Sequence, residues 1–255
     1  MKTIVEAKQI KKVYGAKGNV FTALQEIDLT VVEGEFVGIM GPSGSGKTTL
    51  LNMLATIDKP TSGDIVVDGI SLMKMNEGQL SAFRREKLGF IFQDFNLLDT
   101  LTVKENILLP LALAKTKVDE LERRVDVISK KFGIHAIVDK YPYQISGGQK
   151  QRTAACRAIV SNPSLVLADE PTGSLDSKSA TELLESLQQL NVQDKSTILM
   201  VTHDAFAASY CTRVLFIKDG KMFTELVKGS SSRKEFFNKV MDVLSVLGGG
   251  ASDLI

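Results

Sequence analysis

The chain has 255 residues, with 31 Lys or Arg against 30 Asp or Glu, so its net charge of +1 gives no electrostatic footprint for a nucleic-acid partner. A hydrophobic share of 44% allows a substantial core in one or two subdomains, and the two cysteines, Cys156 and Cys211, stand at no ligand spacing, which suggests a reducing compartment. Met1-Lys2-Thr3-Ile4-Val5-Glu6 lacks the apolar stretch of a secretory signal, and the longest strongly apolar segment, Ile107 to Ala114, is too short for a bilayer and contains Pro110, so a cytoplasmic protein with at most a peripheral membrane role is expected.

From Ile4 to about Val32, apolar and polar residues alternate around Tyr14-Gly15 and Leu24, Ile27, Leu29 and Val31, which predicts two antiparallel strands. Tyr14 offers a ring for stacking on an adenine, although a single Tyr beside a Gly is more often a plain strand-end aromatic. Glu35-Phe36-Val37-Gly38-Ile39-Met40 then reads as a buried strand. It runs into Gly41-Pro42-Ser43-Gly44-Ser45-Gly46-Lys47-Thr48-Thr49, which fits the pattern G-x-x-x-x-G-K-[ST]. Beyond it Leu50, Leu51, Met53, Leu54 and Ile57 fall on one face of a helix. Glycines let successive N–H groups approach an anion closely, and the helix start adds unsatisfied donors. Lys47 can reach the β- and γ-phosphates, and the Thr48 hydroxyl can ligate Mg²⁺. An ordinary glycine turn would not require Lys47-Thr48. The stretch is read as a nucleoside-triphosphate site.

Ser62 to Gly69 reads as a strand closed by an Asp-Gly turn, and the charged stretch Asn76 to Lys87 as a short surface helix on which Arg84 and Arg85 need only be solvated. Gly89-Phe90-Ile91-Phe92 is a further apolar run, and Gln93 just beyond it is placed to ligand a metal or a water, or simply to leave the strand. From about Asp94 to Pro163 strand signals vanish. Thr102-Val103-Lys104-Glu105 has capping-box spacing, Val118, Leu121, Val125, Ile128 and Phe132 repeat at helical intervals, and Gly133 suits a C-cap. This is a helical insertion in an α/β domain.

Ile145-Ser146-Gly147-Gly148-Gln149-Lys150-Gln151-Arg152 places two glycines after a serine at the start of a long helix, which makes a second anion site. Ser146 can equally cap that helix, and both roles can hold together. Ser164-Leu165-Val166-Leu167-Ala168 is a buried strand delivering Asp169-Glu170 at its C-terminal end, where open α/β sheets bind ligands. Two adjacent acids there suit a divalent cation near Asp169 and a water polarised by Glu170. Asp176 caps a helix from Ser177 to about Leu190. Thr197 to Val201 is another buried strand, and it ends in Thr202-His203-Asp204 at the same edge, so His203 can contact a γ-phosphate. His135, in a connection between helices, is read as structural. Val214 to Phe223 forms a hairpin around Asp219-Gly220, and Phe237, Val240, Met241, Leu244 and Leu247 form an amphipathic stripe packed on the domain. Gly248-Gly249-Gly250 and the polar tail are expected to be disordered.

Taken together, the phosphate loop, Gln93, Ser146-Gly147-Gly148-Gln149, Asp169-Glu170, Asp176 and His203, in that order, resemble an ATP-binding-cassette (ABC) ATPase over nearly everything from Ile4 to Phe223. The resemblance implies an α/β P-loop NTPase (RecA-like) core with an antiparallel β subdomain and an inserted helical subdomain. The domain would cover 1–230, with the helical part at about 94–163, and a C-terminal helix and tail would fill 231–255. It also implies a head-to-tail dimer sandwiching two ATP molecules with Mg²⁺. Gly41 to Thr49 of one chain and Ser146 to Gln149 of the other would hold each nucleotide, with Asp176 counted in the same site. Tyr14 would stack on adenine, Thr48, Gln93 and Asp169 would serve the metal, Gln93 would sense the transporter, Glu170 would be the general base and His203 would contact the γ-phosphate. Ile145 stands where a leucine is usual and Lys150 where a glutamine is; neither removes a group the chemistry requires.

Asn96-Leu97-Leu98-Asp99-Thr100-Leu101-Thr102-Val103-Lys104-Glu105-Asn106 and Asp169-Glu170-Pro171-Thr172-Gly173 are similar to the lipoprotein-release and macrolide-export class. Ala207 to Cys211 and Phe216 to Gly220 are similar to its bacitracin-resistance (Bce-type) members. That implies a peripheral subunit on the cytoplasmic face of the membrane, partnered by a permease and, through it, a membrane histidine kinase, with no nucleic acid. Chromosome-maintenance and repair ATPases share these motifs but separate them by long coiled coils, and translation-associated relatives carry two cassettes. A degenerate, non-hydrolysing module would not keep Glu170, His203 and the serine-glycine-glycine signature intact.

Overall fold

Local sequence rules account for most of the element boundaries in the computed structural model, which describes residues 2–15 and 18–248. The strands, in chain order, are β1 (Thr3–Tyr14), β2 (Phe21–Val32), β3 (Phe36–Met40), β4 (Ser62–Val67), β5 (Ile70–Ser71), β6 (Leu88–Ile91), β7 (Leu165–Asp169), β8 (Ile198–Val201), β9 (Arg213–Lys218) and β10 (Lys221–Val227). The helices are α1 (Lys47–Leu54), α2 (Glu77–Lys87), α3 (Val103–Leu113), α4 (Val118–Lys131), α5 (Gly147–Ile159), α6 (Ser177–Asp194), α7 (Ala205–Ala208) and α8 (Arg233–Gly248).

The strands divide into an antiparallel sheet in the order β2-β1-β4-β5 and a second sheet in the order β10-β9-β3-β8-β7-β6. Within the second, only the β9–β10 hairpin is antiparallel. Period-two alternation gives each of its buried strands two apolar faces, as expected for a parallel sheet covered on both sides. Val37, Ile39, Leu165, Leu167, Leu199, Val201, Leu215 and Ile217 pack with α1 and the antiparallel sheet. Their neighbours Phe36, Met40, Val166, Ala168, Ile198, Met200, Val214 and Phe216 pack with the helices of the opposite layer. The helical stretch is layered too: α3 and α4 pack on α5, and α5 reaches back to β6 and α6. Gly89 permits that return, because a Cβ there would lie 2.1 Å from the Ala158 carbonyl oxygen.

Capping decides where α2, α3 and α5 start. Asn76, Thr102 and Ser146 each accept a backbone N–H three residues on, and Gln79, Glu105 and Gln149 reach back to them. Both Asp-Gly turns take two positive φ values, at Asp68-Gly69 and Asp219-Gly220, which suits the twist of a tight hairpin.

Several expectations are corrected. The helix after the phosphate loop stops at Leu54, Thr56 turns left-handed, and Ile57 is 59% exposed instead of sharing the buried face. β6 ends at Ile91, which leaves Phe92 outside the ladder, and α6 continues to Asp194. Arg84 does more than face water, since its guanidinium donates to the carbonyl and the hydroxyl of Thr56, both at 3.0 Å. Four of the five residues of the C-terminal stripe face the core, Val240 and Leu247 buried and Phe237 and Leu244 partly buried against it; Met241 is exposed, and the most buried ring of the helix is Phe236, outside that stripe, with Val243 also against the core. Gly248 still belongs to α8, and the tail from Gly249 lies outside the described residues. Among those residues no helix is long and apolar enough to cross a membrane.

Candidate active site

Parallel pairing brings the four informative loops to one edge. Ile39 pairs with Val201, Val201 with Asp169, and Ala168 with Ile91, so the segments leaving β3, β8, β7 and β6 emerge side by side at the carboxyl ends of their strands. These segments carry Gly41 to Thr49, His203, Glu170 and Gln93 respectively.

The phosphate loop is shaped by its glycines. Gly46 has φ 102 and caps α1, and a Cβ on it would lie 2.5 Å from Leu24 Cδ2 and 2.6 Å from the Ala23 carbonyl oxygen. A Cβ on Gly41 would lie 2.0 Å from the Ile217 carbonyl oxygen. Lys47 is buried inside the loop, and its ammonium donates to the carbonyls of Gly41 at 2.9 Å and Pro42 at 2.8 Å. Burial pulls its pKa below the usual lysine value, against the opposing pull of Glu170 and Asp169. An ammonium has three donors, so one remains for a ligand. Ser45 Oγ is buried without a partner in the same loop, and Thr48 is exposed on the first turn of α1.

At the end of β7, Asp169 Oδ1 is buried and has no hydrogen-bond partner. Burial pushes this carboxyl up, the adjacent Glu170 adds to the shift, and Lys47 opposes it. Glu170 is left-handed at φ 44, a conformation that costs a non-glycine residue about 1–2 kcal/mol. Its N–H donates to Val201 O at 2.9 Å and its carbonyl accepts from Gly173 N at 2.9 Å, which holds the turn. His203 Nδ1 lies 3.1 Å from Glu170 Oε1. The imidazole is kept there by its neighbours, since Thr202 N–H donates to Ile39 O and Asp204 caps α7 through Phe206 N–H at 2.8 Å.

Gln93 is exposed, and its amide lies over Gly173, where a Cβ would come within 3.1 Å of Nε2. Tyr14 is 39% exposed; its hydroxyl donates to Asp58 Oδ2 at 2.7 Å and lies close to the Thr49 hydroxyl, and the Lys12 ammonium sits 4.7 Å from its ring centre.

The signature makes its hydrogen bonds locally. Ser146 Oγ accepts from Gln149 N–H at 3.3 Å, and the Gln149 side chain accepts from Ser146 N–H at 3.0 Å. Gly148 packs against α6, where a Cβ would meet Ser179 Oγ at 2.3 Å and Ser179 Cβ at 2.6 Å. Asp176 caps α6 by accepting from the N–H groups of Lys178 and Ser179, each at 3.0 Å, and from Ser179 Oγ at 2.8 Å. Ser146, Gly147, Gly148, Gln149 and Asp176 therefore form one surface patch, and no hydrogen bond among the described residues joins it to the phosphate loop.

Sequence reasoning missed Arg157. From α5 its guanidinium donates to Phe95 O at 2.9 Å and Asn96 O at 2.6 Å, two residues held left-handed just after Gln93. An arginine in the last turn of a helix carries no pattern that announces two distant carbonyls.

The donor set fits Mg²⁺. That ion takes one or two carboxylates and completes its shell with water and substrate phosphate oxygens. Asp169 supplies an unpartnered carboxylate oxygen, and Thr48 and Gln93 supply neutral oxygens at the same edge. Among the described residues no group of three or more His, Cys, Asp or Glu side chains could hold a metal ion.

The ABC transporter family model matches residues 24–173. The chain belongs to that family. It is an ABC transporter ATP-binding subunit and an ATPase. It is 54% identical over 250 residues to the bacitracin export ATP-binding protein BceA of Halalkalibacterium halodurans, covering 98% of this chain and 99% of that one. It is 52% identical over 255 residues to the ABC transporter ATP-binding protein YxdL of Bacillus subtilis, covering 100% of this cassette and 98% of the relative. Among solved structures it is similar to the dimeric post-hydrolysis state of the cassette MJ0796 of Methanocaldococcus jannaschii bound to ADP and Pi. The TM-score is 0.80 at 39% identity, over 88% of this chain and 98% of that chain.

Proposed function

We propose that this ATPase powers a peptide-antibiotic (bacitracin-like) resistance transporter from the cytoplasmic face of the membrane, by export or target release, and signals through its permease to a membrane histidine kinase. The full-length similarity to a bacitracin export ATPase supports the substrate class. The 3.1 Å contact between His203 and Glu170, at the strand edge that also presents Lys47, carries the catalytic reading.

In this reading the backbone N–H groups from Ser43 to Thr49 and the free proton of Lys47 bind the β- and γ-phosphates of ATP. Mg²⁺, held by Thr48, Asp169 and Gln93, neutralises phosphate charge when bound. Glu170 accepts a proton from the attacking water, and His203 contacts the transferred phosphoryl group. Tyr14 stacks on adenine with the face that Lys12 leaves free. Two chains pair head to tail, so Ser146 to Gln149 and Asp176 of one close over the nucleotide of the other. No hydrogen bond among the described residues ties that patch to its own phosphate loop, which supports this arrangement. The permease docks at an apolar groove formed by Phe90, Phe92, Leu109, Pro110 and Leu113 and edged by Arg84, Arg85 and Arg157. Gln93 follows Phe92 directly and so lies between that groove and the nucleotide. The domain runs over 1–230 with its helical subdomain at about 94–163, and α8 is its C-terminal extension.

Glu170→Gln should bind ATP normally, accumulate as a dimer and lose about 10²–10⁴-fold in hydrolysis, the usual contribution of a general base. Normal turnover would sink the assignment. Isolating the tagged chain from membranes should recover a permease, and disrupting the pair should sensitise cells to bacitracin-like peptides. Recovery with DNA or ribosomes alone would overturn the transporter reading.

A further inference from the structure

Gln151 lies on α5, one helical turn after Gly147, and its side chain is fully buried. Its amide nitrogen donates to two backbone carbonyls, Phe92 O at 3.0 Å and Pro171 O at 2.8 Å. Phe92 immediately precedes Gln93, and Pro171 immediately follows Glu170. Carbonyls only accept, so two of them converging on one end of the side chain fix that end as the NH₂ group.

The position of these bonds matters more than their number. β6 and β7 pair as far as Ile91 and Ala168, and beyond that point no ladder spaces the two segments. The Gln151 amide takes over there, holding both strand exits to one atom. Its own Oε1 is buried and unpaired. A side chain placed only to fill the core would be apolar or fully satisfied, because a buried unpaired acceptor is costly. The same helix begins at the signature glycines, and the next residue, Arg152, forms a salt bridge to Glu182 of α6. A displacement of α5 therefore reaches the Gln93 and Glu170 segments through one side chain.

We propose that Gln151 is a positioning residue that fixes Gln93 and Glu170 relative to one another and transmits movement of the signature helix to both. This rests on the assignment of Glu170 as base and Gln93 as metal and transporter contact. Gln151→Met keeps length and volume but removes both donors. In the full chain it should lower kcat by about 10- to 100-fold, the effect of a small misplacement of reacting groups. KM for ATP and the affinity for a fluorescent ATP analogue should stay near wild type, while the melting temperature should fall by a few degrees because two carbonyls lose their donor. Gln151→Lys restores donors to both carbonyls, as Lys47 does for two carbonyls in the phosphate loop, and should recover most of kcat. Gln151→Asn, which falls one methylene short, carries the same expectation as the Met variant if that variant folds poorly. Full kcat in the Met or Asn variant, equal losses in the Met and Lys variants, or a loss confined to KM would overturn the proposal. Wild type and Glu170→Gln run alongside: absent hydrolysis by wild type, or normal hydrolysis by Glu170→Gln, would count against the catalytic reading instead.

Discussion

Asp169→Asn should make the nucleotide-free chain more stable while abolishing its stabilisation by Mg-ATP. The wild-type carboxylate is half-buried, with Oδ1 enclosed and unpaired, and this burial together with the Glu170 charge outweighs the attraction of Lys47. A carboxyl whose folded pKa lies above its unfolded value destabilises the fold at every pH above the folded value. That destabilisation is relieved as pH falls through the folded value toward the ordinary 3.8. An unpaired buried polar atom costs about 1–3 kcal/mol, and more if it is charged; the amide keeps the polar part, so removing the charge should return about 1 kcal/mol. In a domain of this size that corresponds to a rise of about 2–4 °C. Wild type in about 100-fold excess of Mg-ATP over Kd should gain about 2.7 kcal/mol, or roughly 5–11 °C. Differential scanning fluorimetry with ATP, with and without Mg²⁺, measures both effects. Repeating the nucleotide-free melt at descending pH should show the advantage of the variant shrinking as Asp169 protonates in the wild type. A nucleotide-free variant that melts below wild type would refute the burial argument, and an undiminished Mg²⁺-dependent rise would refute the metal assignment.

Gly148→Ala should destabilise the chain by about 1–3 kcal/mol through overpacking against Ser179, despite the better helix propensity of alanine. Ser179→Gly in the same background should recover much of that loss in a double-mutant cycle on urea melts, and simple additivity would rule out the contact as the cause. Phe236→Ala, which removes a fully buried ring from α8, should cost about 3–5 kcal/mol by calorimetry, whereas a change below about 1 kcal/mol would mean that α8 is not part of the core.

The strands and caps of this cassette were legible because local rules decide them. Alternation in β3, β7, β8 and β9 assigns each residue to one of two faces, and the faces found follow it without a register slip. The capping box at Thr102, the Ser146 cap and the two Asp-Gly turns each depend on residues within a few positions of one another. The edge of the α8 stripe was not decidable in this way. Val240, Leu247, Phe237 and Leu244 face the core as expected, but Phe236 and Met241 both obey helical spacing and only Phe236 is buried, because an amphipathic period does not fix the edge of the stripe. The choice is made by what α8 meets, with the Arg233 guanidinium 4.5 Å from the Tyr210 ring centre and 5.6 Å from that of Phe206. Ile57 failed for a related reason, since a left-handed Thr56 ended the helix before the periodic pattern did.

The site divides along the same line. The groups proposed to meet the nucleotide sit in short motifs, because a phosphate cradle or a paired acid needs neighbours in sequence to be neighbours in space. Groups that connect the motifs have no such requirement. Gln151 reaches carbonyls separated from it by 59 and 20 residues, and Arg157 reaches one 62 residues away. Both act on backbone oxygens, which every residue possesses, so the partner side chains carry no complementary signal. A motif therefore points to what is proposed to hold ATP, while the proposed link between hydrolysis and the position of α5 emerges only once β6, β7 and α5 have been brought together.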